Sequence, residues 1–259
     1  MRAWLEGDWT VIEGAYFDCW RYEQHVVEPF EVPPHWARFR SMDWGSAKPF
    51  SVGWWAIVGD DHCLSIQGTS RIIPRGALLR YREWYGAASP NVGLKMTAEA
   101  VADGIVERER SDAALRYGVL DPACFKEDGG PSIAERMNKL LIQARLRPFH
   151  AADNSRVPQR GSMGGWDQMR SRLVGQDGRP MIYCFSTCAA SIRTIPALQH
   201  DPARPEDVNT ESEDHAADEW RYASMSRPFV RVPVARTRSL PDVGYAPFRS
   251  TAPGDWKLY

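Results

Sequence analysis

The chain has 259 residues, enough for one large domain or one domain with an appendage, and its 43% hydrophobic and 25% charged content is that of an ordinary globular protein. A formal net charge of −1 excludes a surface coated in positive charge, although local basic clusters leave nucleic acid open as a partner. No apolar run reaches the roughly eighteen residues of a membrane span, and the opening MRAWLEGDWT lacks a signal-peptide layout. Five scattered cysteines, an odd count, do not form a disulfide framework or a zinc-site spacing, so a cytoplasmic chain with reduced thiols is expected.

In chain order, residues 1–34 read as an irregular lead-in that ends at Val32-Pro33-Pro34, because tandem prolines block helix and favour extended chain. Strands are expected at about 38–44 and 51–58, joined by the turn Gly45-Ser46-Ala47-Lys48-Pro49. A third strand, at 63–73, is expected to form a hairpin with the second across a GDD turn. YREWYG gives another strand, followed by a polar loop. Thr97 caps a helix whose apolar face is Ala100, Val101, Ile105 and Val106, and Ser132 caps a second with Ile133, Met137, Leu140 and Leu141.

Between those helices LRYGVLD (115–121) reads as a buried strand that ends on Asp121-Pro122, and after the second helix 145–149 reads as a short one. A glycine-rich loop then leads into a helix with Trp166, Met169 and Leu173 on one face. MIYCFS is a strand, CAASIRTIPAL a helix, and EDHAADEWRYAS the last helix before a proline- and arginine-rich tail. Strands first, then strands alternating with helices, imply an α/β domain with a mixed sheet covered on both faces.

Four carboxylates stand out. Asp43 interrupts a strand that otherwise reads as buried, and an unpartnered carboxylate there is costly. Asp121 closes a later strand, and Asp214 and Asp218 are four apart, on one face of the last helix. Carboxylates drawn from separate strand ends and a helix are the oxygen ligands that Mg²⁺ or Mn²⁺ takes. Each also has a local reading: Asp43 capping a turn, Asp121-Pro122 starting one, Asp214 as a helix cap, and Asp218 paired with Arg221.

The set as a whole resembles the C-terminal nuclease domain of the large terminase subunit of tailed bacteriophages. The resemblance lies in AWLEGDWTVIEGAYFD, RSMDWGSAKPFSVGWWA, GVLDPACFKEDGGPSIAERM, NSRVPQRGSMGGWDQMRSRL, GRPMIYCFSTCAASIRTIPAL and DHAADEWRYASMSRP. It implies an RNase H-like fold over 35–228, with 1–34 as lead-in from an ATPase domain and 229–259 as a Pro/Arg-rich tail. It further implies a two-metal endonuclease, using Mg²⁺ or Mn²⁺, that cuts concatemeric double-stranded DNA.

Carried over, Asp43, Asp121 and Asp214 match the catalytic ligands, with Asp218 a further ligand or a neighbour of one and His215 a local contributor. Arg156, Arg160 and Arg170 would form a positive wall for the DNA backbone. Lys48 either contacts the scissile phosphate or is a solvated turn lysine before Pro49. The portal protein, the terminase small subunit and the ATPase domain are the implied partners, in the cytoplasm of an infected bacterium. No GxxxxGK[ST] loop is present, so no ATP hydrolysis is expected. The readings from other classes are a DNA- or portal-docking module with little nuclease activity of its own, and another RNase H-like nuclease such as a junction resolvase.

Overall fold

The computed structural model describes residues 14–66, 69–159 and 161–230. Its centre is a seven-stranded sheet built from β1 (Val26–Val27), β2 (Ala37–Asp43), β3 (Ser51–Ile57), β6 (Leu78–Tyr85), β9 (Gly118–Leu120), β10 (Phe149–Ala151) and β11 (Ile182–Phe185). The order across the sheet is β1-β11-β6-β3-β2-β9-β10. β3 is antiparallel to both of its neighbours, whereas the β2–β9, β9–β10, β6–β11 and β11–β1 pairs are parallel. β3 therefore runs against the other six, whose C-terminal ends collect along one edge of the sheet. In sheets of this kind that edge is where ligands bind. The mixed sheet matches the expectation from the order of elements.

The third expected strand differs. β4 (His62–Ile66) and β5 (Thr69–Ile73) pair only with each other, as a separate two-stranded ribbon. Both edges of β3 are already taken, by β2 and by β6, so no edge remains for a hairpin with 63–73. β6 also starts earlier than YREWYG suggests, because Leu78 and Leu79 are buried opposite Ile57 and Ala56. The other two-stranded piece, β7 (Ala87–Ser89) with β8 (Val92–Gly93), lies in the loop read as polar and irregular.

The helices are α1 (Tyr22–His25), α2 (Ala98–Glu109), α3 (Ile133–Gln143), α4 (Gly165–Val174), α5 (Ala189–Thr194) and α6 (His215–Met225). Thr97 caps α2 by accepting the Ala100 N–H, and Ser132 with Glu135 forms a capping box on α3. Part of the lead-in packs into the same core: Tyr16, Phe17, Trp20, Val26 and Val27 are all buried in it.

Side-chain alternation in β2 decides which face each residue serves. Arg40 points to α2, where its guanidinium donates to Glu109 (2.8 Å) alongside the Trp54 indole N–H (2.9 Å). Ser41 points the opposite way, donating to Glu219 of α6, which also accepts from Trp55 (2.8 Å). Asp43, two residues after Ser41, shares the α6 face. Gly53, level with Ser41 on β3, leaves room for Glu219; a Cβ there would come within 2.2 Å of its carboxylate. Buried ion pairs thus hold both helical layers to the sheet, Arg40–Glu109 on one side and Arg80–Glu219 (2.6 Å) on the other.

Candidate metal centre

Asp43 is the last residue of β2, and β9 runs parallel beside it with Met42 level with Leu120. The Asp121 N–H donates to the Met42 carbonyl (3.2 Å), which brings the two aspartates to adjacent strand ends. Asp121 takes up a cap position on the 3₁₀ turn Pro122–Phe125, its Oδ1 accepting the Ala123 N–H (3.0 Å). The turn reading and the site reading of Asp121 are therefore compatible, because the second carboxylate oxygen is not used by the cap.

Asp214 occupies the cap position of α6 without making a side-chain cap bond. It is 5% exposed, and among the described residues its carboxylate accepts no hydrogen bond. The nearest basic nitrogens, Arg156 Nη1 and His215 Nδ1, each stand 4.0 Å away. One turn further on, Asp218 accepts from Arg221 Nη2 (2.7 Å) and from Arg156 Nη1 (3.4 Å). The local pairing of Asp218 with Arg221 is thus present, and the same carboxylate still belongs to the cluster.

His215 points Nδ1 at Asp43 Oδ2 (3.2 Å) and Nε2 at Asn91 Oδ1 (3.3 Å). Burial, with the added repulsion of the Asp218 and Asp121 carboxylates, holds Asp43 well above the usual carboxylate range. Burial and then Asp218 push Asp214 up to about 7. Burial holds the His215 imidazole below its usual value, against the pull of Asp214 and Asp218. The opposite directions for Asp43 and His215 favour a neutral pair, with the proton on Asp43. Burial first, and then repulsion among the carboxylates, favour proton uptake, and a bound cation would relieve the repulsion.

Among the described residues, no three histidine, cysteine, aspartate or glutamate side chains stand close enough together to hold a metal ion as they are. The donor chemistry nevertheless fits a hard divalent cation, with carboxylate oxygens from three elements and one imidazole. Two of these carboxylates, on Asp43 and Asp214, are nearly buried.

The expected DNA-contacting residues fall in different places. Lys48 is exposed on the loop after Asp43, near enough to His215 to lower its proton affinity. Arg156 is half-buried over the Trp166 ring, bound to Asp207 (2.9 Å) and directed at Asp218. Arg170 lies on α4, where it binds Asp18 (2.5 Å) and the Tyr16 carbonyl. Arg160 is outside the described residues, as is the tail beyond Val230.

Two residues at the site had no clear sequence signal. Asn91 reaches His215 from the β7–β8 turn. Tyr222, one turn after Asp218, lies beneath the Arg221 guanidinium (4.7 Å). Burial and then the Asp43 and Asp218 carboxylates raise its proton affinity, so the phenol stays protonated. The i, i+4 spacing of Tyr222 to Asp218 is the one cue that places it on the site's face.

No protein-family profile matches the chain, and no curated protein sequence does either. Solved structures match its fold. The large terminase of the thermophilic bacteriophage D6E superposes with a TM-score of 0.59 at 18% identity, covering 85% of this chain and 46% of that one. The nuclease domain of the P22 large terminase gives 0.55 at 17% identity, covering 85% of this chain and 95% of the domain. The chain therefore spans about half the length of the intact D6E terminase and nearly all of the isolated P22 domain. The RNase H-like fold expected from sequence is the one observed.

Proposed function

We propose that this chain is the nuclease part of a viral DNA-packaging terminase, a divalent-metal-dependent endonuclease that cuts concatemeric double-stranded DNA. The observation that carries the reading is the gathering of Asp43, Asp121, Asp214 and Asp218, from three elements, at the C-terminal edge of the sheet. Two of them are nearly buried, and Asp214 has no hydrogen-bond donor among the described residues. The fold shared with terminase nuclease domains supports the reading independently.

Two Mg²⁺ or Mn²⁺ ions, when bound, would supply an activated water and stabilise the departing 3′ oxygen. Asp43 and Asp121 would hold them from the strand ends, and Asp214 with Asp218 from the helix. Lys48, exposed on the loop after Asp43, would meet a backbone phosphate; such contacts carry no base information, so cutting would be weakly sequence-specific. An attached ATPase domain, the portal and the small subunit in an infected bacterial cytoplasm complete the proposed setting.

One feature favours a second reading. Arg156 already neutralises Asp218 and approaches Asp214, which would weaken metal binding in the isolated chain and leave it as a DNA- or portal-docking module. Supercoiled plasmid incubated with Mn²⁺ or Mg²⁺ separates the two. Nicking by wild type that is lost in Asp43→Ala and Asp121→Ala supports the nuclease. Nicking that survives both substitutions refutes the site, and plasmid binding without any cleavage favours docking.

A further inference from the structure

Asn91 sits in the turn between β7 and β8 with φ at 59°, a left-handed conformation that Asn tolerates better than most residues. Pro90 before it suits the preceding position of such a turn. The turn brings the Asn91 side chain to α6. Its amide nitrogen donates to the Glu211 carbonyl (3.3 Å), which fixes the orientation of the amide. Oδ1 therefore faces His215 Nε2 (3.3 Å). A carbonyl oxygen only accepts, so Nε2 must carry the proton. In a neutral ring that leaves the Nδ1 lone pair directed at Asp43 Oδ2, 3.2 Å away.

We propose that Asn91 is a positioning residue that sets the tautomer of His215, so that His215 Nδ1 and Asp43 Oδ2 take the same divalent cation. The inference rests on the metal-dependent reading above and adds a nitrogen donor to a site otherwise made of carboxylates. A spacing of 3.2 Å between the two donors is close to that of neighbouring ligands on one small cation, whose individual bonds run to about 2.0–2.2 Å. Fixing a ligand imidazole through its second nitrogen is the general way in which proteins orient such ligands. Here the acceptor comes from a hairpin more than a hundred residues away in sequence, and the same hairpin is tied to the loop before α6 through Glu211.

Mn²⁺ titration of the purified protein, followed by electron paramagnetic resonance, tests this directly. Wild type should show a ¹⁴N coupling on the bound Mn²⁺, and His215→Ala should lose it. Asn91→Gly, which keeps the left-handed turn, should bind Mn²⁺ about 10-fold or more weakly with an unchanged metal-free melting temperature. Asn91→Asp keeps an acceptor for Nε2–H and should retain the coupling. Asn91→Gly with wild-type affinity and coupling overturns the proposal. So does Mn²⁺ binding that depends on Asp43 but shows no ¹⁴N coupling, and in that case the nuclease reading stands. Absence of Asp43-dependent Mn²⁺ binding in wild type removes both.

Discussion

Replacing Asp214 with Asn should stabilise the metal-free protein, an unusual outcome for a buried polar residue. The side chain makes no cap bond on α6, so the amide loses no such contact, and it removes a charge that burial and Asp218 disfavour. The proton affinity of the folded state lies above that of the unfolded chain. The carboxylate therefore costs nothing below the ordinary value of 3.8, and its cost grows as pH rises, becoming complete above about 7. The interval corresponds to about 4 kcal/mol at about 1.36 kcal/mol per pH unit. Because Asp43 and Asp218 share the repulsion, about half of that, roughly 2 kcal/mol, is assigned to Asp214 alone. Loss of a favourable negative charge at the start of α6 subtracts on the order of 0.5 kcal/mol. In a domain of this size about 1.5 kcal/mol raises the melting temperature by roughly 3–6 °C. Thermal unfolding in EDTA at pH 8 should show that gain, and at pH 4 it should nearly vanish. Millimolar Mn²⁺ should raise wild type more than the variant, narrowing or reversing the difference. A variant less stable than wild type in EDTA at pH 8, or a gain independent of pH, would refute the reasoning.

The remaining predictions concern what stands behind the site. Glu219→Gln leaves Arg80 buried with one carboxylate partner fewer and should cost about 3 kcal/mol, lowering the melting temperature by roughly 6–12 °C whether or not metal is present. Gly53→Ala forces a methyl group against Glu219 and Arg80 in a filled core; it should destabilise by about 1–3 kcal/mol, read as a lower urea midpoint. The loss of plasmid nicking in Asp43→Ala and Asp121→Ala should occur with native far-ultraviolet circular dichroism retained.

Much of the candidate site was legible because the residues proposed for it obey local rules. Asp43 is conspicuous as a carboxylate at the end of a strand that is otherwise buried from Phe39 to Met42. Asp121 is marked by the strand–Asp-Pro junction, and Asp214 with Asp218 by the four-residue spacing of a helix face. What stayed hidden depends on contacts between distant segments. Glu219 looks in sequence like a second solvated acid beside Asp218. It is fully buried because Gly53, Ser41, Trp55 and Arg80, all far away in the chain, build a socket for it. Arg156 and Arg170 look alike as members of one basic cluster, yet one faces the carboxylates and the other holds Asp18 and Tyr16. Strand pairing was hidden for the same reason. Nothing within 63–73 reveals that both edges of β3 are already taken.

The juxtaposition of Asp218 and Glu219 explains how a cluster of mutually repelling carboxylates is held in place. Successive residues of α6 point about 100° apart, so one helix can turn Asp214 and Asp218 toward the strand ends and Glu219 into the sheet, with His215 one turn before Glu219. Repulsion at the first face tends to push the helix away. The Glu219–Arg80 pair at the second opposes that in a direction-specific manner, because sliding or rotating α6 would strand Arg80 and Glu219 as buried charges without full compensation. Trp220, donating to Ser191 (3.0 Å), and Glu213, bound to Arg193 (2.7 Å) and Tyr85 (2.9 Å), hold the helix in the same register. An apolar contact at position 219 would allow small shifts at little cost, since dispersion is not directional. A buried ion pair does not, and the carboxylates at the strand ends need their relative positions kept to a fraction of an ångström if they are to meet one cation. The charge hidden inside the sheet is thus what allows the charges at its edge to remain together.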